Sequence, residues 1–211
     1  MSDSCTTVHR LFNKLPILQF PFDTTKIPQN GIYILFEKGE EAHGGRRIVR
    51  VGTHTGKDQL RSRLLQHFVK ENKDRSIFRK NIGRALLRKA HDPFLSQWEL
   101  DLTPHDARIA HQGMIDTQKL NATEKNVTQE LQRRFSFVVF PVEDRGKRLA
   151  LESKIISTIS SCEACEPSTH WLGLHSPKKK IRKSGLWLVN ELYEEPLSAK
   201  DMMDLKRMLG K

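Results

Sequence analysis

The sequence predicts an α+β fold: a small central antiparallel β-sheet flanked by helices, with a helical insertion. Three observations predict it. Two runs rich in β-branched and aromatic residues, 32–36 and 46–52, flank a glycine-bearing turn; two amphipathic helical segments follow them; and a third apolar run, 135–142, leads into a further helical segment. At 211 residues the chain suits one sizeable core. It divides into an N-terminal arm over 1–29, the domain proper over 30–175 with an insertion at about 92–121, and a basic extension over 176–211 packing on the same domain.

In chain order, residues 11–22 carry apolar side chains interrupted by Pro16 and Pro21, which forbid a long helix and suggest a docking arm. Ile32-Tyr33-Ile34-Leu35-Phe36 reads as a buried strand, residues 37–45 with Gly39, Gly44 and Gly45 as a turn, and residues 46–52 as the antiparallel partner. Residues 57–70 place Leu60, Leu64, Leu65 and Phe68 at helical spacing; residues 76–90 do the same with Ile77, Phe78, Ile82, Leu86 and Leu87. Pro93 and Pro104 break the pattern in the insertion. A helix capped at Asn121 or Thr123 runs to Arg134, the strand 135–142 follows, and residues 148–161 form a helix with Glu152 off its apolar stripe. A final helix starts at Ser198, with Asp201 at capping-box spacing.

Composition narrows the partner. The net charge is +11, and residues 46–91 hold fourteen Lys/Arg against three acids, an excess equal to that of the whole chain. A basic surface gains affinity for a polyanion by releasing its counterions, so nucleic acid is the expected partner. An anionic membrane is disfavoured, for want of an amphipathic helix with bulky aromatics or an apolar run of spanning length. Three cysteines, Cys5, Cys162 and Cys165, are too few for a disulfide framework, and the polar N-terminus shows no secretory pattern; a reducing, cytoplasmic setting is expected.

The order of motifs is more specific. Gly31-Ile32-Tyr33, then Arg50-Val51-Gly52 ending the next strand, then Arg63 and His67 on the following helix, then Glu152 on a helix after a third strand, together resemble the GIY-YIG nuclease superfamily over about residues 30–173. The resemblance implies a GIY-YIG-like fold and a stand-alone endonuclease that hydrolyses DNA phosphodiester bonds, restriction- or defence-like in size. It implies Tyr33 at the reacting phosphate, Arg63 on its oxygens, and Glu152 as the carboxylate for Mg²⁺ or Mn²⁺. A guanidinium holds two phosphate oxygens at once, and a magnesium site needs few protein ligands because the ion keeps its waters. His67, one turn beyond Arg63, is expected to donate to phosphate or relay a proton; Arg61, on another face, competes for the phosphate role.

Two positions depart from the family pattern. Arg50 stands where the family usually has tyrosine, with His54 a substitute group, and His170 falls where an asparagine is common. Arg50 and Arg61, with Arg79, Lys80, Arg84 and Arg88 on the second basic helix and Lys178, Lys179, Lys180, Arg182 and Lys183 in a C-terminal loop, are the expected backbone contacts, on DNA or RNA. The alternatives are an inactive GIY-YIG-fold binding module, motivated by Arg50, and a structure-selective repair nuclease. A separate zinc alternative rests on Cys162, Cys165, His170 and His175 at knuckle-like spacing.

Overall fold

The computed structural model describes residues 2–111 and 113–210. Four strands, β1 (Leu18–Gln19), β2 (Gly31–Ala42), β3 (Gly45–Gly52) and β4 (Phe135–Pro141), pair in the spatial order β1-β4-β2-β3, every pairing antiparallel. The central strand β2 is apolar on both sides, with Ile32, Ile34 and Phe36 pointing one way and Tyr33 and Leu35 the other, all fully buried. A strand of that kind must be covered on both faces.

Helices supply the cover. On the Ile32 face lie α1 (Ser2–Asn13), the Glu152 helix (Arg145–Ser160) and the last helix (Ala199–Met208), contributing Cys5, Val8, Phe12, Ile155, Ile156, Ile159 and Leu205. On the Tyr33 face lie α2 (Leu60–Phe68), α3 (Ile77–Lys89) and the long helix Thr117–Arg134, joined by Trp171 and Trp187. In chain order the helices after α3 are α4 (Leu95–Trp98), α5 (His105–Ala110), α6 (Thr117–Arg134), α7 (Arg145–Ser160), α8 (Lys179–Ser184) and α9 (Ala199–Met208). The predicted α+β architecture is thus the observed one.

Several elements extend beyond their expected limits. The hairpin strand runs on to Ala42 and turns tightly at His43 and Gly44, whose φ of 54° and 73° are the pair of positive values that a two-residue hairpin requires. The expected turn over 37–45 is mostly strand because its acids are buried with partners: Glu37 accepts from Trp171 Nε1 at 2.9 Å and Trp187 Nε1 at 3.0 Å, and Glu40 pairs with Arg47 at 2.5 Å. Helix α6 starts at Thr117, earlier than Asn121, because Asp116 accepts from the Lys119 N–H. The residues read as a loop at 178–183 include a short helix, α8. Residues 2–13 form α1 and belong to the core, while Ser198 and Asp201 close the expected capping box. In the 92–121 stretch, Trp98 is fully buried and donates to Lys80 O, docking α4 on α3; residue 112 lies outside the described residues.

Candidate active site

One irregularity in the sheet assembles the site. Leu35 pairs with Arg50 but Phe36 pairs with Ile48, so Val49 is an extra residue in β3. Such a bulge turns the following side chain, and Arg50 stands on the same face as Tyr33. There its Nε donates to Tyr33 Oη at 3.4 Å, its Nη1 donates to Trp187 O, and the guanidinium lies 5.0 Å from the Phe78 ring centre. Tyr33 Oη is also 2.8 Å from His67 Nε2, and His67 Nδ1 is 2.7 Å from Ser76 Oγ, the N-cap of α3. With Arg50 donating to the phenol oxygen, the phenol proton has His67 Nε2 as its acceptor. Burial, then the guanidinium groups of Arg63, Arg50 and Arg79, hold His67 well below the ordinary histidine range, so it is a neutral imidazole.

Gly52 is required where Tyr33 crosses the end of β3. It faces Tyr33 directly, and a Cβ there would come within 2.2 Å of Tyr33 Oη. Tyr33 and His67 are both 0% exposed and do not line the cleft beyond. The expectation that Tyr33 meets the reacting phosphate directly therefore finds it one layer behind the surface.

That cleft, of about 330 Å³, is lined by Arg63 and Gln66 from α2, Thr53, His54 and Thr55 after β3, and Glu152 from α7. Edge strand β3 ends between the two helical layers, so residues from opposite faces of the sheet converge around its tip. Glu152 is the one carboxylate among the described lining residues. It also lines an adjoining recess with Arg50, Asn81, Trp187 and Asn190. Burial pushes its carboxyl up to about 7, against the opposing pull of Arg50, the Thr53 N–H and Arg63. A half-buried carboxylate with space before it is a group whose charge a bound divalent cation would neutralise, so the residues present fit the metal that the resemblance implies. Arg63 is anchored by its own Nη1 on Gln66 Oε1 and Arg75 O, at 3.3 and 3.2 Å.

The other expected residues divide sharply. Arg61 turns away from the cleft and donates to Ile27 O at 2.7 Å. His54 is closed on itself, with Nδ1 on Gly56 O at 2.7 Å and Nε2 accepting from the Gly31 N–H at 3.3 Å; burial holds it below the ordinary range. Arg79, Lys80 and Arg84, expected on the nucleic acid, are buried ion-pair partners: Arg79 of Glu124 at 2.8 Å, Lys80 of Asp74 at 3.3 Å and Arg84 of Glu99 at 2.5 Å. The basic excess in residues 46–91 is thus partly cancelled by acids from elsewhere, and that surface reading is corrected. Arg88 is exposed and donates to Ser176 O, as does Arg182, while Lys178, Lys179, Lys180 and Lys183 are exposed on and beside α8. Arg145, exposed, reaches the cleft rim through Thr55 O at 3.1 Å.

His170 is exposed and lines neither recess around Glu152; Asn190 occupies that neighbourhood instead. Its only signal in the sequence was the Trp187-Leu188-Val189-Asn190 run, which carries no periodicity. His170 and His175 are likewise exposed and stand apart from the Cys/His cluster that does form. In that cluster Cys165 meets Cys5, His9 and His43, whose ligand atoms all lie within 4.8 Å of one another, and Cys162 reaches His43 at 3.6 Å. Cys5 and His9 could have been paired from their one-turn spacing; His43, at a hairpin tip, gave no local sign.

A family model described as GIY-YIG domain matches residues 13–209. No curated protein and no solved structure matches the chain.

Proposed function

The chain belongs to the GIY-YIG domain family, and on that premise we propose that it is a metal-dependent endonuclease that hydrolyses DNA phosphodiester bonds in the cleft between Arg63 and Glu152. The observation that carries the reading is the convergence, in one space of about 330 Å³, of a guanidinium anchored through its Nη1 and a carboxylate raised to about 7. Cleavage needs positive charge on the nonbridging oxygens and a way to stabilise the departing oxyanion. Arg63 supplies the first with its planar donors. Glu152, from the opposite wall, would hold Mg²⁺ or Mn²⁺, which when bound supplies Lewis-acid stabilisation of the leaving oxygen.

Arg50 adds a second fixed charge behind the scissile group. Its three anchors, Tyr33 Oη, Trp187 O and the Phe78 ring, hold it without a mobile counter-ion. Tyr33 and His67 act in this reading as positioning residues that order Arg50 and the base of α2. Gln59, Gln66 and the Thr53 backbone complete a polar wall that suits a solvated sugar-phosphate strand better than an apolar ligand. The exposed bases of α8, with Arg88 and Arg145, provide contacts that position without reading sequence.

Supercoiled plasmid incubated with Mg²⁺ or Mn²⁺ tests the proposal. The wild type is expected to nick or linearise it, with Glu152→Ala and Arg63→Ala each reducing the rate by at least about 10² while plasmid binding stays within a few fold. Nicks alone would indicate one copy acting, and linear product two. Intact plasmid with either metal, alongside salt-sensitive binding, would replace the nuclease reading with the binding module that Arg50 in the second motif suggests. Branched DNA and RNA are the accompanying substrates.

A further inference from the structure

We propose that the chain carries a structural zinc ion, separate from the cleft, held by the sulfurs of Cys5, Cys162 and Cys165 and by Nε2 of His43. These four residues come from three parts of the fold. Cys5 lies on α1, His43 at the tip of the β2–β3 hairpin, and Cys162 and Cys165 on the turn that follows α7. The turn bends both of its cysteines to one side, because the Cys165 N–H bonds back to Cys162 O at 3.2 Å. None of the four lines the Arg63–Glu152 cleft, and Cys162 is ten residues beyond Glu152, roughly 15 Å along a helix axis.

The donor atoms stand within about half an ångström of the spacing a zinc site requires. Bonds of about 2.3 Å to sulfur and about 2.0 Å to nitrogen, arranged tetrahedrally, space sulfur from sulfur by about 3.8 Å and sulfur from nitrogen by about 3.5 Å. Here Cys5 Sγ is 3.3 Å from Cys165 Sγ, and His43 Nε2 is 3.1 Å from Cys165 Sγ and 3.6 Å from Cys162 Sγ. The ring of His43 is oriented as a ligand's ring is: its Nδ1 lies 2.9 Å from Thr6 Oγ1, a hydroxyl that can accept its proton and leave the Nε2 lone pair to the sulfurs.

His9 also approaches the sulfurs, with Nδ1 3.6 Å from Cys5 Sγ and Nε2 3.8 Å from Cys165 Sγ, but each of its nitrogens has a closer partner. Nδ1 faces Cys5 O at 3.0 Å and Nε2 accepts from the Ile48 N–H at 3.2 Å. Using Nε2 for a metal would leave that buried N–H unpaired. His9 is therefore the outer partner that fixes α1 on β3, and the donor set is three thiolates and one imidazole. Four protein donors close the coordination shell, which is the mark of a structural rather than a catalytic zinc. A recess of about 460 Å³ bordered by Cys162 and Cys165 gives the ion a path in.

Metal content of the full chain, purified under reducing conditions without immobilised metal, is the test, read by mass spectrometry. About one zinc per chain is expected, falling at least about tenfold in Cys165→Ser and in Cys162→Ser, with no change in a His170→Ala/His175→Ala double variant. Because a cysteine variant can fail to fold, the wild type is also stripped of metal and titrated with Co²⁺. A tetrahedral spectrum with charge-transfer intensity for three thiolates is expected; intensity for two would overturn the role of Cys162. A stripped chain that binds neither Zn²⁺ nor Co²⁺ with its thiols free, or one isolated with a Cys5–Cys165 disulfide and no metal, would overturn the site. None of these readouts depends on DNA cleavage.

Discussion

Glu152 meets opposed demands from burial and from chemistry, and pH separates them. Its carboxyl is raised to about 7 from an ordinary value of 4.5, first by burial. In the metal-free chain the native state therefore holds a proton that the unfolded chain releases between those values. By linkage, this contribution to stability is present below about pH 4.5 and is lost as pH rises toward 7. The difference in unfolding free energy between wild type and Glu152→Gln should shift by no more than about 3 kcal/mol across that window. Urea titrations at pH 5 and pH 8 in chelator measure it, and a flat difference would show that the carboxyl is solvated. Divalent metal reverses the preference, since it competes with the proton for the same oxygens. Its apparent affinity should weaken about tenfold per pH unit below 7, read from the metal dependence of cleavage.

The Tyr33 hydroxyl is a second test at this scale. It is fully buried and bonds Arg50 and His67, so Tyr33→Phe should lower kcat about tenfold with KM and the pH midpoint unchanged. A loss as large as that of Glu152→Ala would show that the phenol reaches the phosphate. The sequence made Tyr33, Arg63 and Glu152 legible because three spaced elements carried them. It could not show that Tyr33 lies beneath the cleft floor, since that depends on Gly52 leaving room for the ring.

At the scale of elements, helix α3 and helix α8 look alike in sequence and differ in the fold. Both are strings of Lys and Arg, yet Arg79 donates to Glu124 Oε2, Glu124 O and Thr128 Oγ1 from a fully buried position, whereas Lys179, Lys180 and Lys183 face solvent. Removing one partner of a buried pair leaves an uncompensated charge, so Glu124→Ala should destabilise the chain by about 3–5 kcal/mol, measured by thermal or urea unfolding. A Lys179/Lys180/Lys183→Ala variant should instead leave the melting temperature nearly unchanged. It should weaken DNA binding and reduce the slope of log K against log salt by up to about 3, roughly one for each phosphate no longer neutralised. Helical periodicity reveals α3, whereas the residues of α8 read as a loop. Which of them is a surface depended on acids 15 to 45 residues away along the chain, at Glu99 and Glu124, and no local pattern encodes such a meeting.

For the whole molecule, the part least legible in the sequence joins its distant segments. Strands β2, β3 and β4 and most helices followed from apolar runs and 3.6-residue periodicity, but β1 lay in the segment read as an arm, and α1 was hidden among polar residues, so that its role emerges only from what it covers. Cys5, Val8, Leu11 and Phe12 are buried against the face of the sheet that also carries α7. Burying Val, Leu and Phe at such positions is worth roughly 1.5–3 kcal/mol each, a sum comparable to the ~5–15 kcal/mol that holds a typical domain together. The family match begins at residue 13 and so omits nearly all of this helix. A chain trimmed to residues 14–211 should therefore lose its cooperative urea transition, or most of its midpoint, although every residue of the cleft remains. Far-UV dichroism against urea measures this directly. A trimmed chain with the full-length midpoint would mean that α1 lies on the sheet without stabilising it, and that α7 keeps Glu152 in place through β3 alone.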